Sequence, residues 1–141
     1  MKSLRRFVLF IIPAALLAGC AVLPPSAPEA RPVSDNSAVI ALMDSARSDI
    51  AGGKPDSAVA SLERALRIEP RNPLLWQELA RLRLRQGQYQ QAEGLAARSN
   101  AWAGSDKALR AQNWRLIGES RLKRGDQAGA QAAFDAAAQA N

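Results

Sequence analysis

From about residue 36 to the C-terminus, apolar residues return every three to four positions with polar residues between them. That is the period of an amphipathic helix and not of a strand. The pattern breaks at Gly53, Gly87 and Gly125, and Pro70 stops another helix. Glycine accepts the left-handed conformation of a helix C-terminal cap, so these breaks read as helix ends. Asn72-Pro73 reads as an N-cap followed by proline at the first helical position. Asp126 can cap the last helix, and Ser105 or Asp106 the one before it. The pattern predicts helices at about 36–52, 56–69, 73–86, 89–101, 106–124 and 127–140.

The helical pattern also repeats. Ala46 and Ala58, Ala80 and Ala92, and Gly118 and Ala130 are each twelve residues apart, and a glycine follows the first of each pair by seven. One helix therefore ends and a second starts within a few residues, which makes an antiparallel pair. Small residues at the paired positions let the two backbones approach. Large ones, such as Trp76, Leu79, Trp114 and Phe134, fill the space beside them.

This constellation resembles the tetratricopeptide repeat, a 34-residue helix–turn–helix unit. The middle copy carries Trp76, Leu79-Ala80, Gly87-x-Tyr89 and Ala92. The first lacks the aromatics but has Ala58, Ala65-Leu66 and Pro70. The third has Trp114, Gly118, Gly125, Ala130, Phe134 and Ala137, with Gln127 in the tyrosine place. Trp76 and Trp114 are 38 residues apart, which leaves four extra residues between the second and third copies. The resemblance runs from about Val39 to the end. It implies an all-α fold, an α-solenoid of three antiparallel helix pairs, with repeats at about 39–72, 73–106 and 111–141. The competing reading is an unrelated alanine-rich bundle, which does not account for three copies in phase. Three is about the smallest number that buries a continuous core.

Residues 1–35 follow a different pattern. Lys2, Arg5 and Arg6 precede an apolar run from Phe7 to Leu17, and small residues follow. This is the plan of a signal peptide, and the run is shorter than a bilayer span. Leu17-Ala18-Gly19-Cys20 looks like the lipobox of bacterial lipoproteins. In that family the cysteine becomes the first mature residue and carries lipid. The resemblance implies a signal peptide at 1–19 and a covalent lipid on Cys20. The alternative is an ordinary signal peptide with an incidental cysteine. Ala21 stands where lipoproteins retained in the inner membrane tend to have Asp, which implies an outer-membrane anchor with the domain in the periplasm. Pro24, Pro25, Pro28 and Pro32 follow. They suit an extended tether over 20–35, with a reach of roughly 45 Å at about 3.1 Å per residue.

Composition narrows the chemistry. The chain has 141 residues, no histidine and one cysteine. Histidine-based acid/base catalysis, a Ser-His-Asp triad and a histidine-ligated zinc are therefore excluded. A lone cysteine makes neither an internal disulfide nor a cysteine-rich metal site. No convergent acid pair stands out, so no enzyme activity, metal or non-covalent cofactor is expected. The formal charge is +6. Three of those charges belong to the signal segment, and losing them weakens the case for nucleic acid as a partner.

In repeat arrays of this kind the first helix of each pair lines a concave surface. By phase, that surface would carry Ile40, Met43, Arg47 and Ile50, then Gln77, Arg81, Leu84 and Arg85, then Gln112, Arg115, Glu119 and Lys123. Arg47, Arg81, Arg85, Arg115 and Lys123 make it mostly positive, which suits an acidic protein segment or a C-terminal carboxylate. The plainer reading is a solvated face whose arginines pair with nearby acids. Trp102 falls in the four-residue insertion between the second and third repeats, where it either packs in an enlarged turn, the favoured reading, or stands exposed as an anchor for a partner. The last helix has polar Gln127, Gln131, Asp135 and Gln139 on its outside, and is otherwise a candidate homodimer or partner surface. Two functions follow. One is a lipid-anchored scaffold for a protein of an envelope assembly, secretion or cell-wall complex. The other is a binder of an anionic envelope polymer.

Overall fold

Asn36 begins the first helix. Its side-chain oxygen accepts from the backbone N–H groups of Ala38 and Val39, at 3.0 and 3.4 Å. Asn72 does the same for Leu74 and Leu75, and Asp106 and Asp126 for Leu109 and Gly129. Each cap satisfies donors that a helix start leaves without intrahelical partners. The computed structural model describes residues 33–140. It holds six helices there: α1 (Ser37–Ala51), α2 (Pro55–Ile68), α3 (Pro73–Arg85), α4 (Tyr89–Trp102), α5 (Lys107–Lys123) and α6 (Gln127–Gln139). No strand occurs among the described residues. The expected signal segment 1–19, Cys20 and the tether as far as residue 32 lie outside them.

The hairpin turns close as the glycines foretold. Gly53, Gly87 and Gly125 have φ of 69, 76 and 84°. At the middle turn Gly87 N–H donates to Leu84 and Gln88 N–H to Arg83, at 3.0 and 2.9 Å. This pair of bonds ends a helix through a left-handed residue, and the other two turns repeat it. Each hairpin then packs along its length: α1 on α2, α3 on α4, α5 on α6. Neighbouring hairpins join through α2 with α3 and α4 with α5, and α3 also touches α5.

Two apolar clusters hold the stack. The first draws on α1, α2 and α3, with Val39, Met43, Leu62, Leu75 and Leu82 buried. The second, around Ala80, Ala96, Leu116, Ile117 and Ala133, is built from smaller side chains. Burying one leucine is worth about 1.5–3 kcal/mol, so the first cluster is the stronger anchor. In the third hairpin Phe134 lies directly on Gly118. A Cβ at that glycine would stand 2.5 Å from the ring. The small residue of the repeat is there so that the aromatic can sit against backbone.

Two expectations need correction. The four extra residues do not enlarge the turn around Trp102. The connections 69–72 and 103–106 are alike, and the insertion is a further N-terminal turn of α5, which has 17 residues against 13 in α3. Trp102 closes α4 and stays 45% exposed, with the Arg71 guanidinium 5.2 Å from its ring centre. Nor does the domain wait for Asp35. Val33 packs against the first cluster, and its carbonyl accepts from Asn72 Nδ2 at 2.7 Å. Ser34 Oγ donates to Glu69.

Candidate functional site

The residues expected on one surface from the phase of α1, α3 and α5 differ in their exposure, and of these helices only α3 and α5 touch one another. Gln112, Arg115, Glu119 and Lys123 are all exposed along one side of α5. Steps of three and four residues keep them in line. Arg81 joins α3 to that line. Its guanidinium donates to Gln112 Oε1 at 2.9 Å and pairs with Glu78 at 3.2 Å. Arg85 is exposed one turn further on. Arg85, Arg115 and Lys123 form no ion pair among the described residues. The shared α3–α5 face therefore presents unpaired cations with Glu119 among them. Arg47 differs, because it pairs with Asp44 at 3.2 Å on the exposed face of α1. An exposed pair of this kind is worth about 0–1 kcal/mol, so its charge can still be drawn to another acid.

Gln77 does not belong to the accessible surface. It is 3% exposed, and its amide donates to Asn113 Oδ1 at 2.9 Å. Asn113 Nδ2 donates to Ser99 Oγ at 2.7 Å, and Ser99 donates to the Pro73 carbonyl at 2.8 Å. Met43, expected beside the groove, is likewise a core residue at 2% exposure. The polar chain ties α3, α4 and α5 together in the interior, where an unpaired amide would cost about 1–3 kcal/mol. Sequence reasoning missed Asn113 and Ser99. A signal was present: Ser99 occupies the place held by Ala65 and Ala137 in the other copies. A polar side chain where its siblings are methyl groups demands a partner.

Beyond this face, Glu93 on α4 accepts from Arg121 at 2.8 Å and from Arg124 at 2.6 Å. Arg98 lies over the Trp76 ring at 4.9 Å, and the Trp76 indole N–H donates to the Pro70 carbonyl. No cluster of three or more potential metal ligands occurs among the described residues. No helix there is long and apolar enough to cross a membrane.

Stacked antiparallel pairs, glycine-closed hairpins and a shared first-helix face define a repeat domain of the protein-interaction type. Residues 49–112 match the tetratricopeptide-repeat family. The chain is also similar to a solved structure, that of the globular C-terminal domain of P. aeruginosa LpoP. It is 42% identical, with a TM-score of 0.71, covering 74% of this chain and 99% of that one. No curated protein sequence matches significantly. The chain belongs to the tetratricopeptide-repeat family, and its globular domain is a protein-binding scaffold.

Proposed function

We propose that this protein is a lipid-anchored, non-catalytic adaptor. Residues 1–19 direct export, Cys20 carries the lipid, and the repeat domain works in the periplasm from the outer membrane. There it holds a protein partner within an envelope assembly, secretion or cell-wall complex. The observation that carries this reading is the α3–α5 face, with Arg85, Arg115 and Lys123 unpaired beside the Arg81–Gln112 bridge. Arginines held ready on a rigid helix face can take carboxylates two bonds at a time. The partner segment is therefore acidic, and long-range attraction speeds its arrival.

A pull-down from solubilised membranes tests this. The tagged full chain is expected to recover one stoichiometric protein. An Arg85→Ala, Arg115→Ala, Lys123→Ala variant is expected to lose it while keeping its helical circular dichroism. Recovery of glycan alone, only at low salt, would instead support the anionic-polymer reading. Labelling with a fatty-acid analogue tests the anchor: Cys20→Ser is expected to abolish incorporation.

A further inference from the structure

Both inter-repeat junctions leave a cavity, of about 370 Å³ at the first and about 390 Å³ at the second, but the second lacks two groups that the first places around its tryptophan. At the first, Leu66 of α2 is 8% exposed, and the Arg98 guanidinium covers the face of Trp76. One repeat later, Trp114 takes the place of Trp76, Asn100 that of Leu66 and Ala136 that of Arg98. Both covering groups are gone. The slot left there has Ala97, Asn100 and Ala101 of α4 facing Trp114 and Ile117 of α5.

The chemistry of the slot is unusual for an interior. Both polar atoms of the Asn100 side chain, Nδ2 and Oδ1, are shut off from solvent, and neither has a hydrogen-bond partner. A buried amide in that state is destabilising, and native folds rarely tolerate one without a reason. It offers one kind of donor and one kind of acceptor side by side, which is what a peptide group requires. The walls beside it are apolar and take one side chain. At the rim Arg121 pairs with Glu93, and Arg124, which lies outside the slot, shares the same carboxylate. That leaves one positive charge in excess.

We propose that this slot is a second docking site, for an extended segment of a partner protein. The segment's backbone amide pairs with Asn100, whose side chain turns out into the slot to meet it, an apolar side chain lies against Trp114, and an adjacent acidic residue meets Arg121. Extended segments recognised through backbone bonds plus a side-chain pocket are a common mode. The slot is separate from the cationic face. At 3.6 residues per turn, Trp114, Ile117 and Arg121 lie on the side of α5 opposite Gln112, Arg115, Glu119 and Lys123. The proposal does not depend on the groove reading.

The test is panning of random twelve-residue peptides, displayed on phage, against the full chain in detergent. Enriched peptides are then synthesised and their affinities measured by fluorescence anisotropy. Sequences with one apolar residue beside an acid are expected. Asn100→Leu restores the first junction's residue, and Ala136→Arg restores its cover. Each is expected to weaken binding at least tenfold, while the Arg115→Ala, Lys123→Ala double variant binds within twofold of the wild type. Asn100→Leu removes the orphaned amide, so its Tm is expected to rise. Ala136→Arg, on another helix, decides the matter if Asn100→Leu does not fold. Failure to enrich any peptide would overturn the proposal. So would peptides that bind both filled variants normally, or that are lost only with the Arg115, Lys123 pair. Self-association abolished by Asn100→Leu would assign the slot to a second copy and overturn it equally.

Discussion

The two junctions between hairpins use the same helix geometry with different chemistry. Where α2 meets α3, Val59, Leu62, Leu66, Leu75 and Leu79 make an apolar seam. Where α4 meets α5, the places of Val59 and Leu66 hold Glu93 and Asn100, and that of Leu62 holds Ala96. Small residues bring α4 and α5 close, and hydrogen bonds do much of the holding: Gln77 to Asn113 to Ser99 inside, Arg121 and Arg124 to Glu93 outside. An apolar seam gains free energy in proportion to buried area and tolerates small shifts. A polar seam requires each partner in place, and one missing group leaves the others unsatisfied. Repetition of a fold thus does not imply repetition of its energetics, since each interface in such an array contributes its own term.

Four experiments sharpen or break this contrast. The largest effect is expected at the apolar seam. Leu75→Ala, at a fully buried site, should lower unfolding free energy in urea by about 3–4 kcal/mol through lost transfer and a cavity. Gly118→Ala should cost about 2 kcal/mol, because the new methyl group drives into Phe134. Combining it with Phe134→Leu should recover most of that loss, and failure to recover would show that the contact is not the cause. Asn113→Ala should cost about 1–3 kcal/mol by stranding Gln77 and Ser99. Hydrogen exchange should then quicken in α5 and α6 before α1 and α2, and uniform quickening would contradict a local polar seam. The smallest effect belongs to the rim. Arg124→Ala should cost no more than about 0.2–1 kcal/mol, and added salt should shrink the difference from the wild type.

The helices were legible because their punctuation is local. Asn72, Asp106 and Asp126 cap, Gly53, Gly87 and Gly125 terminate, and each acts within a few residues of itself. Observed ends differ from the sequence reading by one residue or none. The cationic face was legible in part. Gln112, Arg115, Glu119 and Lys123 follow from helical phase alone, and the structure exposes all four. Gln77 was misread for a reason phase cannot supply. Whether a residue on α3 sees solvent depends on what α5 lays over it, and Asn113 comes from 36 residues away. Trp102 was misplaced because a spacing of 38 between tryptophans does not say which side of the turn holds the extra residues. Only the length of α5 decides that. The Asn100 slot was invisible for a similar reason, since it is defined by what two neighbouring repeats fail to bring.

The clasp at Val33 has a mechanical consequence. A pull arriving along the N-terminal segment does not reach α1 first. It meets Asn72 and Glu69, in the connection between α2 and α3, where the Val33 carbonyl and Ser34 hydroxyl are fastened. Tension therefore enters at the centre of the stack and is carried across the seam of leucines. The first hairpin is spared from being unzipped from its free end, and the α3–α5 face keeps its shape under load.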